Sequence, residues 1–172
     1  MKKTILIAFF AILVSMPVFA QKYAYIDSQY ILGNIPEYNE AQAELDRIAA
    51  IWQKEIEAKF KSIDSMYKNY QVEAITLPEN LKKNREETIM NAEQEAKNLQ
   101  KKRFGKDGDL FKKREELVKP IQDRVFTAIE EYAKEKGYAF VFDVSGSMTI
   151  VYADQKFDIN DPILEKLGIT PK

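Results

Sequence analysis

Apolar residues recur at steps of three and four along one stretch of the chain: Tyr38, Ala41, Leu45, Ile48, Trp52, Ile56, Phe60, Ile63, Tyr67 and Tyr70. That spacing predicts one long helix with a single apolar stripe. Pro36 suits its first position, and Glu37 in the first turn faces the positive end of the helix dipole. The stripe fades at Val72. Thr76, Leu77 and Pro78 then interrupt it, because Pro78 biases Leu77 away from helical dihedrals. Residues 79–136 are again helical by composition, but apolar positions are sparse until Leu110, chiefly Ile89, Met90, Ala92, Ala96 and Leu99. A denser stripe returns with Leu117, Ile121, Val125, Ala128, Ile129 and Tyr132, and Pro120 at its start is expected to kink the helix. At ~1.5 Å per residue the two helices are rods of about 57 and 87 Å. Folded back at Leu77 as an antiparallel hairpin, they would set Tyr38 beside Glu115.

The hairpin is flanked by short elements of another kind. Residues 22–27 (KYAYID) alternate as a half-buried strand does. Ser28 is placed to cap a short helix over 29–32, ended by Gly33. Gly137 is placed to end the long helical run, and Tyr138 to Val144 (YAFVFDV) is the strongest strand signal. Ser145, Gly146 and Ser147 predict a turn into a second strand, Met148 to Tyr152, making a β-hairpin. Asp161 and Pro162 predict the start of a last short helix over 163–167, stopped by Gly168. The fold class is therefore α+β: a long antiparallel, coiled-coil-like helical hairpin emerging from a small strand-bearing body.

The first 20 residues stand apart. Lys2 and Lys3, an apolar run from Ile5 to Val14, and the small residues Val18 and Ala20 compose a secretory signal peptide, with cleavage expected after Ala20. Residues 21–172 then form one domain, with the body in 22–35 and 117–172 and the hairpin in 36–116. A body of about 70 residues is marginal as an isolated core, which favours association between subunits. Two of the 26 basic residues lie in the leader, leaving 24 against 27 acidic ones, a net charge of −3. Nothing suggests a nucleic-acid partner held by bulk charge. There is no Cys and no His, which excludes the usual zinc sites, thiol and imidazole catalysis, disulfides and attachment of lipid through Cys.

Three motifs invite functional readings. Asp143, Ser145 and Ser147 have the spacing of the metal-coordinating loop of von Willebrand factor A domains, but only 24 residues follow Met148, too few for the rest of that fold. A hairpin turn is the better reading. Acidic pairs such as Asp154 with Asp158 have no pocket pattern or base beside them, so no enzyme and no cofactor is expected. The tracts Lys101-Lys102-Arg103 and Lys112-Lys113-Arg114 are balanced by Asp107, Asp109, Glu115 and Glu116 and read as a solvated helix face. Gly105 and Gly108, each costing about 1 kcal/mol inside a helix relative to Ala, mark either a hinge or a local break. If their dihedrals are helical, Ala at both sites stabilises the helix; if they are a fixed break, positive φ is the expected reason.

Taken together, YAYID with YILGNIPEY, then FGKDGDLFKKREELVKPIQDRV, EKGYAFVFDVSG and YADQKFDINDPILEKLGI, the chain resembles the Skp/OmpH family of periplasmic chaperones over nearly all of its mature length. The stretch from FGKDGDLF to KPIQ is similar to that of Bacteroidetes members. The resemblance implies a homotrimer in which strands of three subunits form a body and three helical hairpins hang from it around a cavity. In that cavity family members hold unfolded outer-membrane proteins, without ATP. The run from Ile5 to Ala20 is too short to span a bilayer and no second such run follows, so no stable membrane insertion is expected. Some members carry strongly basic hairpins; the net charge of −3 departs from them and bears on any role toward lipopolysaccharide. Candidate client contacts are Tyr67, Tyr70, Val72, Ile75, Leu77, Leu81, Ile89, Met90, Leu99, Phe104 and Leu110, a sparse apolar set among charges. Candidates for the trimer body are Tyr23, Tyr25, Ile121, Val125, Phe140, Phe142 and Ile150. The competing reading, a structural coiled-coil scaffold of the envelope, needs a sustained apolar seam where residues 82–109 have a loose one.

Overall fold

The computed structural model describes residues 21–146 and 150–171; the expected signal peptide and the Ser147 to Thr149 part of the expected β-hairpin lie outside them. Strand β1 (Lys22–Ile26) leads into helix α1 (Ser28–Gly33), followed by the long helix α2 (Pro36–Glu73). Helices α3 (Glu79–Phe104) and α4 (Asp109–Lys136) return, strand β2 (Tyr138–Asp143) follows, and a 3-10 turn (Gln155–Phe157) precedes helix α5 (Asn160–Lys166). Among the described residues no helix is long and apolar enough to cross a membrane.

Pro36 opens α2, as its spacing predicts. At α1 the cap lies one residue earlier than expected: the Asp27 carboxylate, not Ser28, accepts from the amides of Gln29 and Tyr30, both on its Oδ1. Helix α5 likewise starts at Asn160, ahead of Asp161, because the Asp158 carboxylate accepts the Asn160 amide at 2.8 Å and fixes the entry. Helix α4 passes through Pro120 without ending and closes at Gly137, whose φ of 70° is left-handed and whose N–H reaches the carbonyls of Ala133 and Lys134.

Two expectations are corrected. The expected single helix over 79–136 is two helices, parted at residues 105–108. The sheet is not a hairpin: β2 pairs with β1, in parallel, with Tyr23 opposite Phe140 and Tyr25 opposite Phe142. Residues 150–152, expected to pair back, lie outside any strand, with Val151 and Tyr152 exposed. The Val144 amide extends the ladder to the Ile26 carbonyl, and on the other edge of β1 the Ile159 amide reaches the Tyr25 carbonyl. The two ends of the domain are thereby tied together across the four intervening helices.

Three apolar clusters follow one another along the molecule. The body core gathers Ala24, Ile26, Ile31, Ile35, Val125, Ala128, Ile159, Ile163 and Leu164. The buried side chain of Asn160 accepts the Asp27 amide at 2.7 Å and locks α5 to the end of β1. Next, where α2 leaves the body, Ala41, Leu45 and Val118 pack with Leu110 and Leu117. Near the far end Ile63, Ile89 and Ala96 pack with Met66 and Tyr70. Ion pairs record the antiparallel register: Glu73 with Arg85, Glu55 with Arg103, Glu37 with Arg124. Tyr38 is therefore level with residues near Ile121 rather than Glu115, because the tip loop after Glu73 and the link at 105–108 consume chain without adding helical rise.

Candidate functional site

The hairpin exposes apolar side chains where its own seam cannot reach them. Ile75 in the tip loop is 87 % accessible and Val72 beside it 76 %. Tyr67, Leu81 and Met90 are also exposed, while Leu77 and Leu99 are half-buried. The remaining candidates for client contact are engaged within the chain. Ile89 is buried between α2 and α3, which removes it from the accessible surface; it faces α2 seven residues before Ala96. Leu110 packs in the second cluster. Phe104 sets its ring edge-on to Trp52 at 6.4 Å. Tyr70 packs against the distal cluster and donates its hydroxyl to Glu86, a bond that pushes its pKa up to about 12.

At the other end, the two faces of the sheet differ sharply. Strand alternation puts Ala24, Ile26 and Val141 on the body core. Tyr23, Tyr25, Phe140 and Phe142 take the opposite face, where Tyr23 stacks on Phe140 at 6.0 Å and on Phe142 at 6.4 Å. Phe140 is 55 % and Tyr23 44 % accessible, while Tyr25 and Phe142 are half-buried. Around the strand ends, a groove of about 370 Å³ is lined by Ile26, Leu32, Val125, Phe126, Ile129 and Val141. Of the other body candidates, Val125 belongs to the chain's own core, Ile121 packs against it, and Ile150 is half-buried.

The polar motifs serve the fold. The Asp143 carboxylate accepts from the amides of Ser28 at 3.1 Å and Ser145 at 3.0 Å, and the hydroxyls of Ser28 and Ser145 meet at 2.7 Å. Partial burial pushes this carboxyl up, and those hydrogen bonds outweigh it and hold it below its ordinary value. The loop thus pins the end of β2 to the start of α1.

Gly105 and Gly108 are neither helical nor left-handed. Their dihedrals are extended, with φ of −65° and −75°, so neither helix continuity nor positive φ explains them. The reason is steric. A Cβ on Gly105 would lie 2.3 Å from the Lys101 carbonyl oxygen, and one on the buried Gly108 would lie 2.8 Å from that of Lys102.

Sequence comparison bears directly on this architecture: the profile of the family described as "Outer membrane protein (OmpH-like)" matches residues 22–167, from β1 through α5. The chain belongs to the OmpH-like family. An uncharacterized protein of Aquifex aeolicus (strain VF5) is 29 % identical over 149 residues, covering 87 % of each chain. Among solved structures, a proposed outer membrane chaperone (OmpH-like) from Caulobacter crescentus CB15 superposes with a TM-score of 0.66 at 14 % identity, over 86 % of this chain and 84 % of that one. At that identity the likeness concerns the fold, and it agrees with long paired helices rising from a small parallel sheet. This OmpH-like chain combines an aromatic sheet face exposed at Tyr23 and Phe140 with a hairpin that leaves apolar residues exposed.

Proposed function

We propose that this OmpH-like chain is an ATP-independent periplasmic holdase: exported with cleavage after Ala20, assembled as a homotrimer through its body, and holding unfolded outer-membrane proteins between its hairpins. The observation that carries the reading is the exposed set Tyr67, Val72, Ile75, Leu81 and Met90, spread singly among charges along α2, the tip loop and α3. Scattered apolar side chains of this kind offer weak contact to a chain that exposes its own apolar residues, while the charges between them oppose self-association. The body, residues 22–35 and 117–172, presents Tyr23, Tyr25, Phe140 and Phe142 as the surface on which copies meet; the hairpin, 36–116, is then the client-binding limb. The absence of a phosphate-binding loop motif in the sequence fits action without ATP.

The test is light scattering of a urea-unfolded outer-membrane barrel diluted into nucleotide-free buffer, with and without stoichiometric trimer. Scattering should fall, and replacing Val72, Ile75, Leu81 and Met90 together by Ser should restore most of it while sedimentation stays unchanged. Full scattering in the presence of the parent protein would sink the holdase reading and leave the envelope scaffold.

A further inference from the structure

We infer that Arg103 is a latch that holds the two limbs of the hairpin together at the 105–108 link and restrains bending there. The apolar seam of the returning strand of the hairpin falls on Ile89, Ala96, Leu110 and Leu117, spaced so that residues seven apart share a face. The one position of that series held by a charged residue is Arg103. Its side chain does not turn away to solvent; it is 24 % accessible, and its Nε is buried without an acceptor.

Three partners hold the guanidinium there. Its carbon lies 4.6 Å from the ring centre of Trp52 on α2, a cation–π contact. One terminal nitrogen donates to Asp109 at 2.7 Å, across the helix break. The other lies 3.6 Å from Glu55, again on α2. Helix α2 changes phase at the same level: its seam steps by seven from Leu45 to Trp52 and from Ile56 to Ile63, but by four from Trp52 to Ile56. A four-residue stutter locally unwinds a seam of this type. Both limbs of the hairpin are therefore irregular at one level, α2 by its stutter and the return limb by its break, and one side chain joins α2, α3 and α4 there. The freedom it restrains is bending of the distal section, 56–104, relative to the section rooted in the body. On the holdase reading proposed above, that bend sets the spacing of the tips and so the width open to a client.

The chain contains no Cys, so spin labels can be placed cleanly at Ile75→Cys in the tip and Lys119→Cys on α4. With labelled chains diluted by unlabelled ones, pulsed dipolar spectroscopy reads the tip-to-root distance within one chain. The parent should give one narrow distribution. Arg103→Gln should broaden it at least twofold with helix content unchanged by circular dichroism, and Arg103→Lys, which keeps the charge but loses the planar contact on Trp52, should also broaden it. An unchanged width in Arg103→Gln overturns the latch. Should that variant lose helix, Asp109→Asn, which removes only the pairing across the break, decides by the same criterion. The distances are read on client-free protein, so a failed aggregation assay with a narrow parent distribution counts against the holdase reading alone.

Discussion

Gly105→Ala isolates what the break in the return helix requires. The added Cβ would stand 2.3 Å from the Lys101 carbonyl oxygen, the same oxygen that accepts the Gly105 amide at 2.8 Å to cap α3. Backbone has to move by about an ångström to relieve that overlap. The cap bond is then lost, and with it the Gly108 amide bond to the Gly105 carbonyl at 2.9 Å. At about 1 kcal/mol net for each hydrogen bond, the loss is about 2 kcal/mol. Rewinding the link as helix returns at most about 1 kcal/mol through the propensity of Ala over Gly. The balance is a destabilisation of about 1–2 kcal/mol, or a fall in Tm of roughly 2–8 °C for a domain of this size. The assay is thermal unfolding by circular dichroism at fixed chain concentration, since the proposed assembly would make Tm concentration-dependent. Two controls separate the causes. Gly33 has open space around its Cβ position and no positive φ, so Gly33→Ala should be neutral within about 0.5 kcal/mol. Gly137 also has open space but a φ of +70°, so Gly137→Ala should lose about 1 kcal/mol through dihedral strain alone. A Gly105→Ala protein melting at or above the parent temperature, with parent helix content, would refute the steric argument and make the link a soft joint.

Two further outcomes test the ends of the molecule. The Tyr70 hydroxyl, held by Glu86, ionises at about 12 rather than its ordinary 10.0, so the fold favours the protonated phenol. That contribution is fully present below pH 10 and is lost as pH rises toward about 12. Tyr25 and Tyr30 are also raised, by burial and by the Asp161 hydrogen bond respectively, so in an alkaline absorbance titration Tyr70→Phe should remove one phenol from the late phase, and an undiminished late amplitude in the variant would place the bond elsewhere. In the body, Leu164 is fully buried, so Leu164→Ala should cost about 2–5 kcal/mol, read as a lowered urea midpoint. A shift below 1 kcal/mol would show that the body core collapses around the gap.

Helix boundaries at Pro36, Glu73 and Glu79 were legible because local chemistry sets them: a proline at the first position, a fading stripe, and a proline after the turn. Strand existence was legible too, from the alternation of KYAYI and YAFVFD. Strand pairing was not. The expectation that Tyr138 to Val144 would pair with the segment just after it follows the preference for neighbours in sequence, whereas the observed partner is β1, brought back by the hairpin's own length. The break at 105–108 was half-legible: two glycines signalled it, but seven-residue spacing from Ile89 to Leu117 runs through it and argues for continuity. Arg103 was hidden inside a basic tract whose lysines, Lys101 and Lys102, are indeed exposed. Its separation from them was available in the same spacing, since it alone of the three shares a face with Ala96 and Leu110.

The body's architecture carries its own argument for assembly. Parallel sheets ordinarily occur with both faces covered, because their strands are apolar on both sides, and a two-stranded sheet has little stability by itself. Here one face rests on α4, α1 and α5 through Ala24, Ile26 and Val141, and the other offers three stacked aromatic rings. That partly exposed face has the composition of a core: its rings are contiguous and fixed by strand register, whereas the exposed residues of the hairpin are separate and interleaved with charge. A contiguous aromatic row buries efficiently against a copy of itself or of its neighbours, while a dispersed set holds many different chains weakly. On the function proposed above, the two kinds of exposed apolar surface divide the molecule's work, with association assigned to the sheet and transient contact to the hairpin.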